Sequence, residues 1–154
     1  DLAELLQRAL DGEPTIIYAN TVKRAQAYYR WFKARDVDDV VLYHSRFTEP
    51  HKVEKENRLR EMLGKEAWEK GEARGIAILT QIGEISVNIS ADLMISDLCP
   101  IDRLAQRAGR HPGERPCPPN PRPDGRAVTD RISFLVLLGS GSPTVELLAE
   151  CSFR

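Results

Sequence analysis

The stretch TIIYANTVKRAQAYYRWFKARDVDDVVLYH, residues 15–44, decides the fold class of this 154-residue chain. It opens with an apolar run, TIIYA (15–19), that is typical of a buried parallel strand. Asn20 or Thr21 can cap the helix that follows. The apolar positions of that helix share one stripe: Val22, Ala25, Tyr29 and Phe32. A second apolar run, DVVLYH (39–44), completes a strand–helix–strand unit.

The same alternation continues on both sides of this unit. An amphipathic helix, LAELLQRAL (2–10), precedes it, and a charge-rich helical stretch, residues 48–71, follows it. Further strands are predicted at 75–80, 91–97 and 132–138, with a short helix at 100–109. Strands that alternate with helices predict an α/β fold: a parallel sheet with right-handed crossovers and helices on both faces.

Composition excludes several classes of protein. Charged residues make up 29% of the chain and the formal net charge is -1, so a strongly basic nucleic-acid binder is excluded. Three scattered cysteines without a C-x-x-C pair indicate neither a disulfide framework nor a zinc site, and we predict no metal site. They favour a reducing cytoplasm. No apolar run is long enough to cross a bilayer, so no membrane partner is expected.

Polar residues stand directly after four of the predicted strands. In parallel sheets, ligands bind at the carboxyl ends of the strands. We therefore expect one polar rim, formed by Asn20-Thr21, His44-Ser45-Arg46, Thr80-Gln81 and Asp97.

A pair of arginines in DRLAQRAGRHPG (102–113) is typical of an anion site. Arg107 and Arg110 are three residues apart on a predicted helix, so they share a face and suit a phosphate group. If they serve a nucleotide held by another domain, both should be exposed in this chain, because a buried ion pair would have to break first.

Three stretches resemble known motifs in order and spacing. TIIYANTVKRAQAYY (15–29), LYHSRF (42–47) and ILTQIGEISVNISADLMISDLCPIDRLAQRAGR (78–110) are similar to motifs IV, IVa, V and VI of superfamily-two helicases. The resemblance is closest to the CRISPR-associated helicase-nuclease of type I systems. It implies the second, C-terminal RecA-like domain of the P-loop NTPase type.

The resemblance implies a role for each polar group. Arg107 and Arg110 would be the catalytic arginines, and the ATP contacts would be Gln106, Arg107, Arg110 and Asn88. The nucleic-acid contacts would be Asn20, Thr21, Ser45, Arg46, Thr80 and Gln81. Two positions depart from the motifs: Asn88 replaces an acid of motif V, and Gly113 replaces a further arginine of motif VI.

The resemblance also implies a larger enzyme. The chain has no GxxxxGK[ST] phosphate loop, so ATP and Mg would be bound mainly by a first RecA-like domain, and this chain alone should be inactive. The expected partners are that domain, a nuclease domain of the same polypeptide, single-stranded DNA and the RNA-guided CRISPR surveillance complex. We predict a leading helix or linker (1–12), the RecA-like domain (13–139) with a Pro-rich loop (112–126), and a truncated C-terminal segment (140–154).

Two other functions fit the same residues. A DEAH-like RNA helicase shares the motif V pattern and QRAGR (106–110). A solitary RecA-like domain could instead be a non-catalytic module that binds a protein, and the incomplete motif VI favours this slightly.

Overall fold

The sheet has five parallel strands. A computed structural model describes residues 2–100, 102–103, 107 and 133–137 of the chain. The strands are β1 (Thr15–Tyr18), β2 (Val40–Tyr43), β3 (Ile76–Leu79), β4 (Leu93–Asp97) and β5 (Ser133–Leu137). They lie in the order β2-β3-β1-β4-β5, and every neighbouring pair is parallel. The predicted parallel sheet is confirmed.

Five helices flank the strands within the described residues. They are α1 (Leu2–Leu10), α2 (Val22–Lys33), α3 (Glu49–Leu63), α4 (Lys65–Glu69) and α5 (Gly83–Ser86). The stretch predicted as one helix over 48–71 is divided at Gly64, whose backbone is extended (φ -74°, ψ 171°). A Cβ at Gly64 would collide with the carbonyl oxygen of Arg60, so glycine permits this close turn. The short helix α5 was not predicted.

The sheet is covered on both faces, as predicted. On one face, α1 and α2 pack over the sheet; the buried cluster there includes Leu5, Ala9, Ala25, Phe32, Ile17 and Leu42. On the other face, α3 and residues 87–91 pack over a cluster that includes Leu59, Met62, Val87, Ile89, Ile16 and Tyr43. Successive residues of a strand point to opposite faces, which is why Ile16 and Ile17 fall in different clusters.

Parts of the predicted organisation lie outside the described residues. The predicted helix at 100–109 is described only at Asp102, Arg103 and Arg107, which are helical. The Pro-rich loop (112–126) and the segment 140–154 lie outside the description. The domain boundaries stay predictions, although α1 packs into the core of the sheet through Leu5 and Ala9. Among the described helices, none has the length and apolarity to span a membrane.

Candidate functional site

The predicted polar rim forms at one edge of the sheet, which we call the carboxyl edge. Because β1 to β4 are parallel, the loops that follow them meet there. From the β2 side, the edge carries Ser45-Arg46, Thr80-Gln81, Asn20-Thr21 and Asp97, in that order. The backbone N–H of Thr80 donates to the carbonyl of Tyr43 (3.3 Å), which joins the ends of β2 and β3.

Asn20 connects three loops of this edge. Its backbone N–H donates to Asp97 Oδ2 (2.8 Å), and its side-chain Nδ2 donates to the carbonyl of Leu98 (2.6 Å). Gln81 Nε2 donates to the carbonyl of Asn20 (3.1 Å). These contacts use both the backbone and the amide of Asn20, so this residue joins the ends of β1, β3 and β4.

Arg107 is buried beneath the edge. Its side chain is 1% exposed, and Nη1 donates to Ser96 Oγ (2.6 Å) and to the carbonyl of Asp97 (3.2 Å). Nη2 lies 3.5 Å from Asn20 Oδ1, and the guanidinium carbon lies 4.9 Å from the centroid of the Tyr18 ring. The prediction that Arg107 is exposed is therefore wrong. These oxygens and the ring offset the water that the guanidinium loses on burial.

Asp97 holds a second arginine at the same place. Its side chain is almost fully buried, and Oδ1 lies 3.0 Å from Nη2 of Arg24, which is 40% exposed. The sequence placed Asp97 at the edge, but it did not predict a role for Arg24 or for Ser96. Both partners are far from their contacts along the chain, so no local pattern could indicate them.

The end of β2 forms a tight turn around His44. The imidazole is buried, and Nδ1 accepts a hydrogen bond from the backbone N–H of Arg46 (3.2 Å). The ring stacks on Phe47 with 4.1 Å between ring centroids. Burial, and then the charge of Arg46, lower the pKa of His44 below its usual value. The turn leaves the side chains of Ser45 and Arg46 exposed at the edge.

The remaining predicted site residues differ in their access to solvent. Thr21 is exposed, and its hydroxyl accepts from the backbone N–H of Arg24 (3.2 Å), which caps α2. Gln81 and Asn88 are also exposed, whereas the side chain of Thr80 is only 3% exposed. The expectation that Thr80 faces the surface is thus wrong for its side chain. Gln106 and Arg110 lie outside the described residues.

The fold and this edge define the class of protein. A parallel sheet with helices on both faces and polar loops at the carboxyl ends of its strands is a doubly wound α/β domain, and its match to the crystal structure of T. fusca Cas3 makes it RecA-like. The profile of the family described as "CRISPR-associated nuclease/helicase Cas3, C-terminal" matches residues 11–114. The chain belongs to this family.

Individual relatives agree with this assignment. A putative CRISPR-associated nuclease/helicase Cas3 of Methanocaldococcus jannaschii is 38% identical over 108 residues, which cover 70% of this chain and 14% of the relative. The crystal structure of T. fusca Cas3-AMPPNP matches with a TM-score of 0.66 at 32% identity, over 73% of this chain and 13% of that chain. A chain of a CRISPR RNA-guided surveillance complex, pre-nicking, matches with a TM-score of 0.63 at 33% identity, over 73% of this chain and 14% of that chain. The chain thus spans a small part of the relatives that it matches.

Proposed function

We propose that this chain is the second motor domain of an ATP-dependent, single-stranded DNA helicase-nuclease that acts in type I CRISPR interference. One observation supports the proposal: described residues of the stretches that resemble motifs IV, IVa, V and VI come from distant parts of the chain and lie at or beneath the carboxyl edge, namely Asn20, Arg46, Gln81 and Arg107. Arg107, Asn20 and Asp97 are joined there by hydrogen bonds. In sheets of this type, ligands bind at that edge.

The exposed polar groups of the edge suit a nucleic-acid backbone. Arg46 can pair with a phosphate, and the exposed side chains of Ser45, Thr21 and Gln81 can donate hydrogen bonds to one. Thr80 and Asn20 would contribute through their loops, since the Thr80 side chain is buried and the Asn20 amide is engaged. Phosphate contacts carry no base code, so binding should be independent of sequence.

Gln106, Arg110 and Asn88 would contact ATP. Asn88 is exposed and can donate a hydrogen bond without bringing charge. The chain contains no phosphate loop, so ATP and Mg would be held mainly by a first RecA-like domain, and ATP would supply the phosphoryl group that is transferred to water. Arg110 would stabilise charge on that group. Arg107, which is buried, would position the carboxyl edge instead.

The proposal includes the wider setting of the enzyme. The first RecA-like domain and the nuclease domain would belong to the same polypeptide, and the RNA-guided surveillance complex would deliver the DNA in the cytoplasm. This chain resembles T. fusca Cas3-AMPPNP, which supports the proposal that the full protein binds a nucleotide. It also resembles a chain of an RNA-guided surveillance complex, which supports the proposed partner.

ATP turnover of the full-length protein tests the proposal. Single-stranded DNA should stimulate hydrolysis, RNA of the same length should stimulate it less, and the isolated chain should hydrolyse no ATP. Equal or stronger stimulation by RNA would favour an RNA helicase. A full-length protein that does not hydrolyse ATP would favour a non-catalytic binding module.

A further inference from the structure

The residues between Thr80-Gln81 and β4 run from the carboxyl edge over the face of the sheet that α3 also covers. This 83–91 segment consists of α5 and the extended residues that follow it. Val87 and Ile89 are buried in the core, whereas the alternating residues Ser86 and Asn88 are exposed. The alternation turns the apolar side chains inward and the polar ones outward. The segment thus joins the proposed DNA contacts at one end to the proposed ATP contact, Asn88, in its middle.

The helix pair α3–α4 holds the far end of the segment. The backbone N–H of Ser90 donates to the carbonyl of Leu63 (3.0 Å), the last residue of α3. The indole Nε1 of Trp68, in α4, donates to the carbonyl of Ser90 (3.0 Å). Both backbone groups of Ser90 are therefore bound by one helix pair. Gly64 makes this possible, because the break there turns α4, and with it Trp68, away from the line of α3.

A buried tyrosine holds the near end. The hydroxyl of Tyr43, at the end of β2, donates to Glu56 Oε1 in α3 (2.6 Å). Because its one proton is used there, it can only accept from Ser86 Oγ, 3.3 Å away. The hydroxyl proton of Ser86 is shared between Tyr43 and the carbonyl of Ile82, 3.0 Å away. Burial, and then the hydrogen bond to Glu56, raise the pKa of Tyr43, so the hydroxyl stays protonated.

We propose that Tyr43, Glu56 and Trp68 are positioning residues: by fixing the 83–91 segment they set how strongly DNA binding is transmitted to ATP turnover. Glu56 and Trp68 belong to the charge-rich helical stretch that the sequence predicts over residues 48–71. The inference rests on the proposed function. It adds that α3 and α4, which lie outside the stretches that resemble helicase motifs, set the response of ATP turnover to DNA.

Hydrogen exchange of the isolated chain tests the contacts themselves. Tyr43→Phe and Trp68→Phe each remove a donor and keep an aromatic ring. Each should speed amide exchange of the 83–91 segment about five- to thirtyfold, the effect of losing one or two kcal/mol of local stability. Amides of β1 should exchange at the wild-type rate. Trp31→Phe is the matched control, because Trp31 packs beside Phe32 on the opposite face of the sheet. Unchanged exchange of the segment in both variants would overturn the inference.

Turnover of the full-length protein tests the transmission. Tyr43→Phe and Trp68→Phe should raise the DNA concentration for half-maximal stimulation about five- to tenfold, with basal turnover unchanged. Glu56→Gln should retain most of the stimulation, because an amide oxygen still accepts from Tyr43, whereas Glu56→Ala should not. Faster exchange with unchanged stimulation would overturn the inference and leave the proposed function standing. A wild-type protein that DNA does not stimulate would instead overturn the proposed function, and the transmission with it.

Discussion

The guanidinium of Arg107 and the hydroxyl of Ser96 form a buried hydrogen bond of 2.6 Å, which fastens the chain after β4 to β4 itself. The same guanidinium lies against the carbonyl of Asp97 and the amide of Asn20. Hydrogen bonds to a charged group contribute about 1.5–3 kcal/mol each. Moving Arg107 toward a ligand would break several of these bonds. Arg107 therefore stabilises the arrangement of the loops at the carboxyl edge.

Arg107→Ala should destabilise the isolated chain by about 2–4 kcal/mol, since it leaves a cavity and removes a donor from two buried oxygens. Urea unfolding measures this loss. Arg103→Ala is the matched control, because Arg103 is exposed and lies four residues earlier in the sequence. It should change stability by less than about 0.5 kcal/mol. Equal small losses in both variants would contradict the structural role of Arg107.

The parts of the fold that follow from local patterns were predictable. The runs that form β1 to β3 are largely apolar and are followed by polar residues. The rule that ligands bind at the carboxyl ends of parallel strands placed Asn20, Arg46 and Gln81 at one edge. The N-cap of α2 was also visible, as a threonine before an apolar stripe. These features need only a short window of sequence.

Contacts between distant residues could not be predicted in the same way. Arg107 was expected in solvent because a buried ion pair would have to break before it could reach a nucleotide. Motif spacing gives the face of a helix but not what covers that face. Ser96 accepts a hydrogen bond from Arg107, and a serine within an apolar strand does not indicate which residue it will contact. The indole of Trp68 likewise reaches Ser90 across 22 residues. The break at Gly64 was missed because one extended residue hardly alters helical periodicity.

Stability should depend on the protonation of His44. Nδ1 of His44 accepts a hydrogen bond, so the turn requires the neutral ring, and burial lowers its pKa below 6.5. The unfolded chain takes up the proton first as the pH falls, so the contribution of His44 is complete above its unfolded pKa and is lost below it. Urea unfolding at about pH 7.5 and about pH 5.5 should show a smaller acid loss in His44→Gln than in the wild type.

His51 provides the control for that measurement. It is exposed in α3 and contacts the hydroxyl of Thr48. His51→Gln should therefore keep the full acid loss of the wild-type chain. If His44→Gln loses as much stability on acidification as the wild type, the neutral His44 ring does not contribute to the pH dependence of stability.

Removal of Arg46 should weaken binding of single-stranded DNA by the full-length protein equally for all sequences. One phosphate contact fewer should reduce the slope of log affinity against log salt concentration by about 0.7. Arg35→Ala removes the same charge near the end of α2, away from the carboxyl edge, where Arg35 stacks on Trp31. It should leave the slope unchanged. Equal slopes in the two variants would exclude Arg46 from the DNA path.

Removal of Arg110 should separate turnover from binding in the full-length protein. If Arg110 stabilises charge on the transferred phosphoryl group, Arg110→Ala should lower kcat by about a thousandfold and leave affinity for single-stranded DNA nearly intact. Gly113→Arg restores the arginine that the motif usually carries, and it should raise turnover unless Arg115 already fills that role. Arg107→Ala should lose stability together with activity, because its side chain supports the edge, whereas Arg110→Ala should unfold at the wild-type urea concentration. Wild-type turnover in Arg110→Ala would contradict the assignment of motif VI, and the proposed motor function would lose its catalytic group.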